Sequence, residues 1–327
     1  MPVLLTEKDV RTVLSMDDLI AAMETSLDRF SASSVRQPLR TVVDVVSRHA
    51  FFGVMPAFID GAGAALGTKL VSVYHSNASQ GLPTHLATIL LFDPDTGALR
   101  AVLDGRYITE ARTAAASAAA TKHLAREDAR VLAVFGSGVQ ARSHIEALVR
   151  VRRVDEVRIW SRDPAHIDRL IEEMTPHVGA RLVREPSARE AARGADVIAL
   201  VTASREPVLK REWVAEGTHI CAVGACRPDQ REMDTALVTD ARVFVDSRVG
   251  ALAEAGDIVI PMTEGAIDAT HIVAEIGDVC GGRTAGRRST SEITLFKSLG
   301  MAVEDVAAAH LAFERASERG LGRGFVL

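Results

Sequence analysis

The sequence predicts an α/β protein with a parallel, doubly wound sheet through its middle. Three observations carry that prediction. From Ala129 onward, short apolar runs alternate with segments of helical period, the β-α-β texture of a parallel sheet. The first run, Val131–Phe135, is followed at once by Gly136-Ser137-Gly138-Val139-Gln140-Ala141, which opens a helix. The composition is 47% hydrophobic but only 4% aromatic, so Ala, Val, Leu and Ile build the core, as in helices packed on parallel strands. A chain of 327 residues has room for two domains, each with its own core.

Taken in order, Thr6-Glu7-Lys8-Asp9 has the form of a capping box, and a helix is expected over about 17–30. Strands are expected over 39–46, 51–58, 64–74, 85–92 and 98–103. Asp93-Pro94-Asp95-Thr96-Gly97 is a hairpin turn between the last two. Consecutive strands on short turns predict an antiparallel or mixed sheet in this first third. At Tyr107 the texture changes: residues 108–124 are rich in Ala and Thr, lack Gly and Pro, and read as a helix. Arg126-Glu127-Asp128 then leads into the second domain. Beyond the strand 131–135, a helix carries Ala141, Ile145, Leu148 and Val149 on one face, and another carries Ile167, Leu170, Ile171 and Met174. Further strands are expected at 157–160, 182–183, 197–202, 218–223 and 243–246, with Ser187 and Glu190 boxing the start of a short helix. After Gly250 the chain is less regular. Gly281-Gly282 and Gly286-Arg287-Arg288 read as a flexible loop, and a last helix as 301–318.

Charge and cysteine usage exclude several classes. A net charge of −5, from 38 basic and 43 acidic residues, offers no general attraction for nucleic acid or an anionic membrane. Three cysteines without paired spacing, Cys221, Cys226 and Cys280, argue against a disulfide framework and a zinc site. No signal-peptide pattern follows Met1 and no apolar run could span a bilayer, so a reducing cytoplasm is the expected setting.

The glycine turn is the pattern G-x-G-x-x-A of a Rossmann dinucleotide site. Gly136 permits the tight turn and Gly138 lets the backbone approach a pyrophosphate. Ala141 lets helix and strand pack closely, so that the helix N-terminus faces the phosphates. Val139 and Gln140 complete the turn. An ordinary strand-to-helix turn is the alternative, but strand, helix and second strand are all in place. The end of the second strand selects the cofactor. An acid there would hold the ribose of NAD; this chain has Ser161-Arg162, a neutral donor and a permanent cation suited to a 2′-phosphate. Asp163, one residue late, reads as a helix cap before Pro164. NADP(H) is therefore preferred over NAD(H), against the alternative that Arg162 is only a solvated loop residue.

Over nearly the whole chain the sequence resembles the ornithine cyclodeaminase/mu-crystallin family, nearer its mu-crystallin branch of NADPH-binding ketimine reductases than its cyclodeaminases. The resemblance rests on Gln37-Pro38-Leu39-Arg40-Thr41-Val42-Val43, Gly53-Val54-Met55-Pro56, Thr68-Lys69-Leu70-Val71, Ile108-Thr109-Glu110-Ala111-Arg112-Thr113-Ala114-Ala115, residues 135–141, and Phe296-Lys297-Ser298-Leu299-Gly300-Met301-Ala302-Val303-Glu304-Asp305. It implies a homodimer in which residues 1–125 with 303–327 form the substrate and dimerisation domain, and 126–302 the Rossmann domain. It also implies that Arg40, Lys69 and Arg112 bind a substrate carboxylate, which suits a guanidinium fork plus a point charge. Read without it, Arg40 could be a surface residue of an edge strand. Lys69 lies in an apolar strand where an unpaired ammonium is costly, and Arg112 lies in an Ala-rich helix with no neighbouring partner. Such cations invite an anionic ligand. By the same resemblance Thr84 and His85 lie by the nicotinamide and phosphates, with Arg112 also near the cofactor. Thr202, Val223 and Ser298 are its neighbours, and Glu275 touches ligand.

One departure matters. In Gly224-Ala225-Cys226-Arg227-Pro228, Cys226 stands where the cyclodeaminase and alanine dehydrogenase branches have an Asp and the mu-crystallin branch a Ser. A thiol, with an ordinary pKa of about 8.5, is a poor acid/base substitute. It reads as a small residue after a glycine turn, or as a proton donor or redox-sensitive thiol beside the substrate with Arg227 next to it. The expected activity is reduction of carboxylate-bearing cyclic imines such as Δ1-pyrroline-2-carboxylate or Δ1-piperideine-2-carboxylate. Arg112 and Arg40 would fix the carboxylate, and Lys69 would raise the potential and relay a proton. Three alternatives stand beside it: an alanine or other amino-acid dehydrogenase, an ornithine cyclodeaminase, and an NADPH-dependent binding protein for a small carboxylate.

Overall fold

The structure is a computed structural model and describes residues 1–326, the side chain of Ala78 apart. Along the chain it forms β1 (Val3–Leu5), α1 (Glu7–Val13), α2 (Met16–Ser31), β2 (Val35–Arg36), β3 (Thr41–Val45), β4 (Ala50–Ile59) and β5 (Ala65–Tyr74). There follow β6 (His85–Phe92), β7 (Leu99–Asp104), α3 (Arg106–Leu124), β8 (Val131–Phe135), α4 (Val139–Val151), β9 (Glu156–Trp160) and α5 (Pro164–Met174). Next come β10 (Arg181–Arg184), α6 (Ala188–Ala192), β11 (Val197–Leu200), β12 (His219–Ala222), α7 (Thr235–Asp240), β13 (Arg242–Val245) and α8 (Arg248–Glu254). The chain closes with α9 (Gly256–Thr263), β14 (Ile272–Glu275), α10 (Ile276–Cys280), β15 (Thr294–Lys297), α11 (Ala302–Glu318) and β16 (Arg323–Gly324). Two compact units result: Met1–Thr113 with Met301–Leu327, and Ala114–Gly300. The expected boundary after residue 125, at the end of the helix, thus differs from the observed division inside α3. A 19-residue helix without Gly or Pro carries on past the point where its side chains change unit.

The first unit is a mixed sheet in the order β16-β1-β7-β6-β5-β4-β2, with β3 on β4. All its pairs are antiparallel except β1 with β7. The capping box forms, Thr6 and Asp9 bonding each other reciprocally, and Asp93 closes the hairpin by accepting from Thr96 N and Oγ1. Strands β4 and β5 alternate buried and half-buried residues, and α11 packs on β4, β5 and β6. It can lie close because of Gly67. A Cβ there would sit 2.7 Å from the Leu90 carbonyl oxygen and 3.2 Å from Val306. Sequence reasoning missed β1, β2 and β16, whose two or three residues show no periodicity.

The second unit is an all-parallel sheet in the order β10-β9-β8-β11-β12-β15-β13-β14, as the sequence predicts in kind. Strand order reverses between β8 and β11, the switch point where such sheets bind ligands. Strands β14 and β15 were not expected: each has four residues, and β15 carries a lysine. The glycine-rich segment before β15 is pinned rather than loose. Arg287 donates from Nε to the Leu124 carbonyl (2.6 Å) and from Nη1 to that of Glu292 (2.6 Å). Among the described residues, no helix is long and apolar enough to cross a membrane, and no cluster of side chains could hold a metal.

Candidate functional site

In the first unit, Lys69 on β5 and Arg112 on α3 are both buried, 2% and 3% exposed. Contrary to the sequence reading, each has acidic partners. Asp305 accepts from Arg112 Nε on Oδ1 (2.8 Å) and pairs with Lys69 Nζ through Oδ2 (2.6 Å). Glu304 Oε2 accepts from Arg112 Nη1 (2.6 Å). Both acids are fully buried in the first turn of α11, where the helix dipole favours negative charge. The Gln37 side chain anchors that turn by accepting from Val303 N (2.9 Å). These partners lie 192 and 193 residues from Arg112, beyond any local pattern.

Burial, reinforced by the charges of Arg112 and Arg40, pushes Lys69 down to about 8 against the pull of Asp305. Burial acts the other way on Asp305, but Arg112 and Lys69 hold its carboxyl below the usual range. Lys69 can therefore carry or release a proton near neutral pH. The charge of Arg40 reaches Lys69 as well, so three cations influence this group. Arg40 is half-buried in the segment before β3, not in a strand. Thr84 and His85 open β6, with Thr84 Oγ1 and His85 Nδ1 3.2 Å apart. His85 pairs across from Val73 in β5, which puts it on the Lys69 face of the sheet.

In the second unit the glycine turn has the geometry its motif requires. Gly136 has φ +121°, and a Cβ on it would lie 2.9 Å from the Val201 carbonyl oxygen. Gly138 is the N-cap of α4, and a Cβ there would meet nothing within 4 Å. The helix thus starts with no side chain on its first amides, a cradle that fits a pyrophosphate. Val139 is exposed and Gln140 half-buried in the first turn of α4. Ser137 Oγ donates to Ser161 Oγ (3.0 Å), Arg162 is exposed, and Asp163 caps α5 by accepting from Ala165 N. The β9 end therefore offers a hydroxyl and a guanidinium, its nearest carboxylate being engaged in a cap.

A buried ionic group at the ends of β11 and β12 escaped the sequence reading. Thr202 donates from both N (2.6 Å) and Oγ1 (2.7 Å) to Glu232 Oε1, and Gly224 N donates to Glu232 Oε2 (2.7 Å). Asp257 accepts from Glu232 N (2.8 Å) and pairs with Lys297 Nζ (3.0 Å), which also donates to the Ala225 carbonyl (2.6 Å). Glu232, Asp257 and Lys297 are all 0% exposed. Their only sequence signal was Lys297, a charged residue inside an apolar strand.

Val223 is buried and accepts from the thiol of half-buried Cys226 (3.3 Å), whereas Arg227 is exposed. Ser298 is buried and donates to Asp246 (3.3 Å). Glu275 ends β14 and accepts from Arg248 N (2.9 Å), the first amide of α8, whose cap is Ser247.

A parallel sheet that reverses its strand order beside an open glycine turn belongs to the Rossmann class of dinucleotide-binding proteins. The chain belongs to the ornithine cyclodeaminase/mu-crystallin family, whose model matches residues 1–320. It is 43% identical to the ketimine reductase mu-crystallin of Rattus norvegicus over 96% of this chain and 97% of that one. Among solved structures it resembles the Δ1-pyrroline-2-carboxylate reductase of Thermococcus litoralis in complex with NADH and L-proline. That match has TM-score 0.96 and 41% identity and covers 99% of this chain and 100% of that one. An archaeal alanine dehydrogenase dimer with bound NAD matches at TM-score 0.93 and 34% identity, covering 98% of each chain.

Proposed function

We propose that this chain, a nicotinamide-dependent oxidoreductase acting on C=N bonds, reduces cyclic imines that carry a carboxylate, with NADPH preferred over NADH. The observation that carries the reading is the buried Lys69–Arg112 group, with a lysine whose proton is labile near neutral pH. A bound reduced nicotinamide would supply the hydride that the imine carbon takes up. The C=N electron pair moves to nitrogen, which takes a proton, and the charged Lys69 ammonium is its proposed donor. Arg112, oriented by Glu304 and Asp305, and Arg40 would hold the carboxylate. Thr84, His85, Val223 and Ser298 are proposed to lie along the cofactor, and Glu275, Cys226 and Arg227 by the substrate. The names of the relatives support imine reduction, and Ser161-Arg162 supports the choice of NADPH.

The cyclodeaminase reading is disfavoured by Cys226, a thiol that donates to a backbone carbonyl where those enzymes have a carboxylate. The chain is further proposed to act as a homodimer in the reducing cytoplasm, the setting its cysteine usage fits. The test is NADPH consumption with Δ1-pyrroline-2-carboxylate, Δ1-piperideine-2-carboxylate and pyruvate plus ammonia, together with ammonia release from ornithine. Turnover of the cyclic imines, higher affinity for NADPH than NADH, and loss of that preference in Arg162→Asp are expected. Cys226→Ser should keep substantial reductase activity. Ammonia release from ornithine at a comparable rate would refute the reading.

A further inference from the structure

The ionic group beneath β11 and β12 has a job that the imine chemistry does not use. Glu232 lies outside both strands, on the turn segment before α7, yet its two oxygens collect the donors of both strand ends. Oε1 takes the amide and hydroxyl of Thr202; Oε2 takes the amide of Gly224 at 2.7 Å and that of Ala225 at 3.3 Å. Only an ionised carboxylate accepts at both atoms without bringing a donor of its own. The turns it joins are in direct contact. A Cβ on Gly224 would fall 1.9 Å from the Thr202 carbonyl oxygen, and one on Gly136 2.9 Å from that of Val201. The three strand-end turns at the switch point therefore form one stack, and Glu232 is the group that bonds the second to the third.

The carboxylate is itself held in a closed circuit. Asp257 Oδ1 accepts from the amides of Glu232 (2.8 Å) and Met233 (3.3 Å). Its Oδ2 faces Lys297 Nζ, and that ammonium returns to the Ala225 carbonyl beside the Glu232 oxygens. Breaking a fully buried circuit of this kind leaves an uncompensated charge, so its members move together or not at all.

In a doubly wound sheet the dinucleotide lies across the carboxyl ends of the strands. Its adenine half lies on the side of the strand that follows the glycine turn, here β9, and its nicotinamide half lies on the other side. We propose that Glu232 is a positioning residue for the nicotinamide half. It fixes the spacing of the β11 and β12 ends, on which that half rests, by holding the Thr202 and Gly224 amides on one carboxylate. The inference rests on the dinucleotide reading above. It assigns the adenine half to a part of the sheet edge that Glu232 does not touch, the Ser137–Ser161 hydroxyl pair with Arg162.

The test separates the two halves. Binding of NADPH and of adenosine 2′,5′-bisphosphate, which carries the adenine half alone, is measured for the unmodified chain, Glu232→Gln and Thr202→Val. Glu232→Gln puts an amide NH2 against backbone N–H groups and should weaken NADPH about tenfold or more while leaving the bisphosphate within about twofold. It should also raise the KM for NADPH and lower kcat, with the KM for imine little changed. Thr202→Val removes one of the four bonds and keeps the fold if Glu232→Gln does not. It should shift NADPH affinity the same way by a few fold. Equal weakening of both probes in either variant, or of neither, overturns the proposal. No binding of either probe by the unmodified chain overturns the dinucleotide reading itself.

Discussion

Asp305 meets two cations at once, Lys69 on one oxygen and Arg112 on the other, and that sharing sets what each can do. Lys69 must be charged to give up a proton, so kcat/KM for imine reduction should fall as pH rises through about 8. Asp305 favours the charged form of Lys69, whereas Arg112 and Arg40 oppose it. Asp305→Asn should therefore move the falling limb to lower pH, and Lys69→Gln should abolish the part of it that the substrate's own titration does not explain. Asp305→Asn also leaves buried Lys69 without its anion and Arg112 with Glu304 alone, at a cost of about 3–5 kcal/mol, so it should melt at markedly lower temperature. A pH profile identical in all three proteins would show that Lys69 donates nothing. At this scale the sequence was half legible. A lysine in an apolar strand and an arginine in an alanine-rich helix mark a site by their cost. What neutralises them lies on α11, brought close by a tertiary fold that no local spacing encodes.

Two glycines with opposite surroundings show what an element requires. Gly67 lets α11 approach β5, and Gly67→Ala would press a Cβ into the Leu90 carbonyl and Val306; about 1–3 kcal/mol of stability should be lost, read as a lower Tm. Gly138→Ala meets no protein atom, so Tm should barely move. The new methyl would stand where the backbone is to approach the pyrophosphate, and NADPH should bind about tenfold or more weakly. Loss of stability in Gly138→Ala without loss of affinity would contradict its assigned role. The glycine turn was readable because everything it needs is local: a strand before it, a helix after it and small residues between. Strand β15 was not, because its burial comes from β12 and β13 on either side, and its lysine is satisfied by Asp257 forty residues earlier.

For the whole molecule, the parallel sheet and the mixed sheet both follow from patterns along the chain, whereas the place of division does not. It falls inside a helix whose composition is uniform. The first unit carries an exposed apolar edge. Edge strand β3 exposes Val42 and Val43, with Leu39 and Val46 on either side, 41–77% exposed, an apolar row that an isolated sheet edge would leave prone to pairing. The proposed homodimer would cover it. Light scattering should give twice the chain mass, and Val43→Glu should shift it toward the single chain; a single-chain mass for the unmodified protein would refute the dimer.

The first unit draws α11 and β16 from beyond residue 300, and β16 pairs with β1. During synthesis this imposes a schedule. The β4–β5 face, with Lys69 and Arg112 on or beside it, is made early, but its cover and both neutralising acids leave the ribosome only after the entire second unit. The nascent protein must carry an unfinished apolar sheet and two cations awaiting burial through some 190 residues of elongation, the stretch from Arg112 to Glu304, while the contiguous second unit is free to fold first. Chaperone dependence should therefore concentrate in that interval. A chain released before Ala302 should aggregate through its N-terminal third rather than through its nucleotide-binding half.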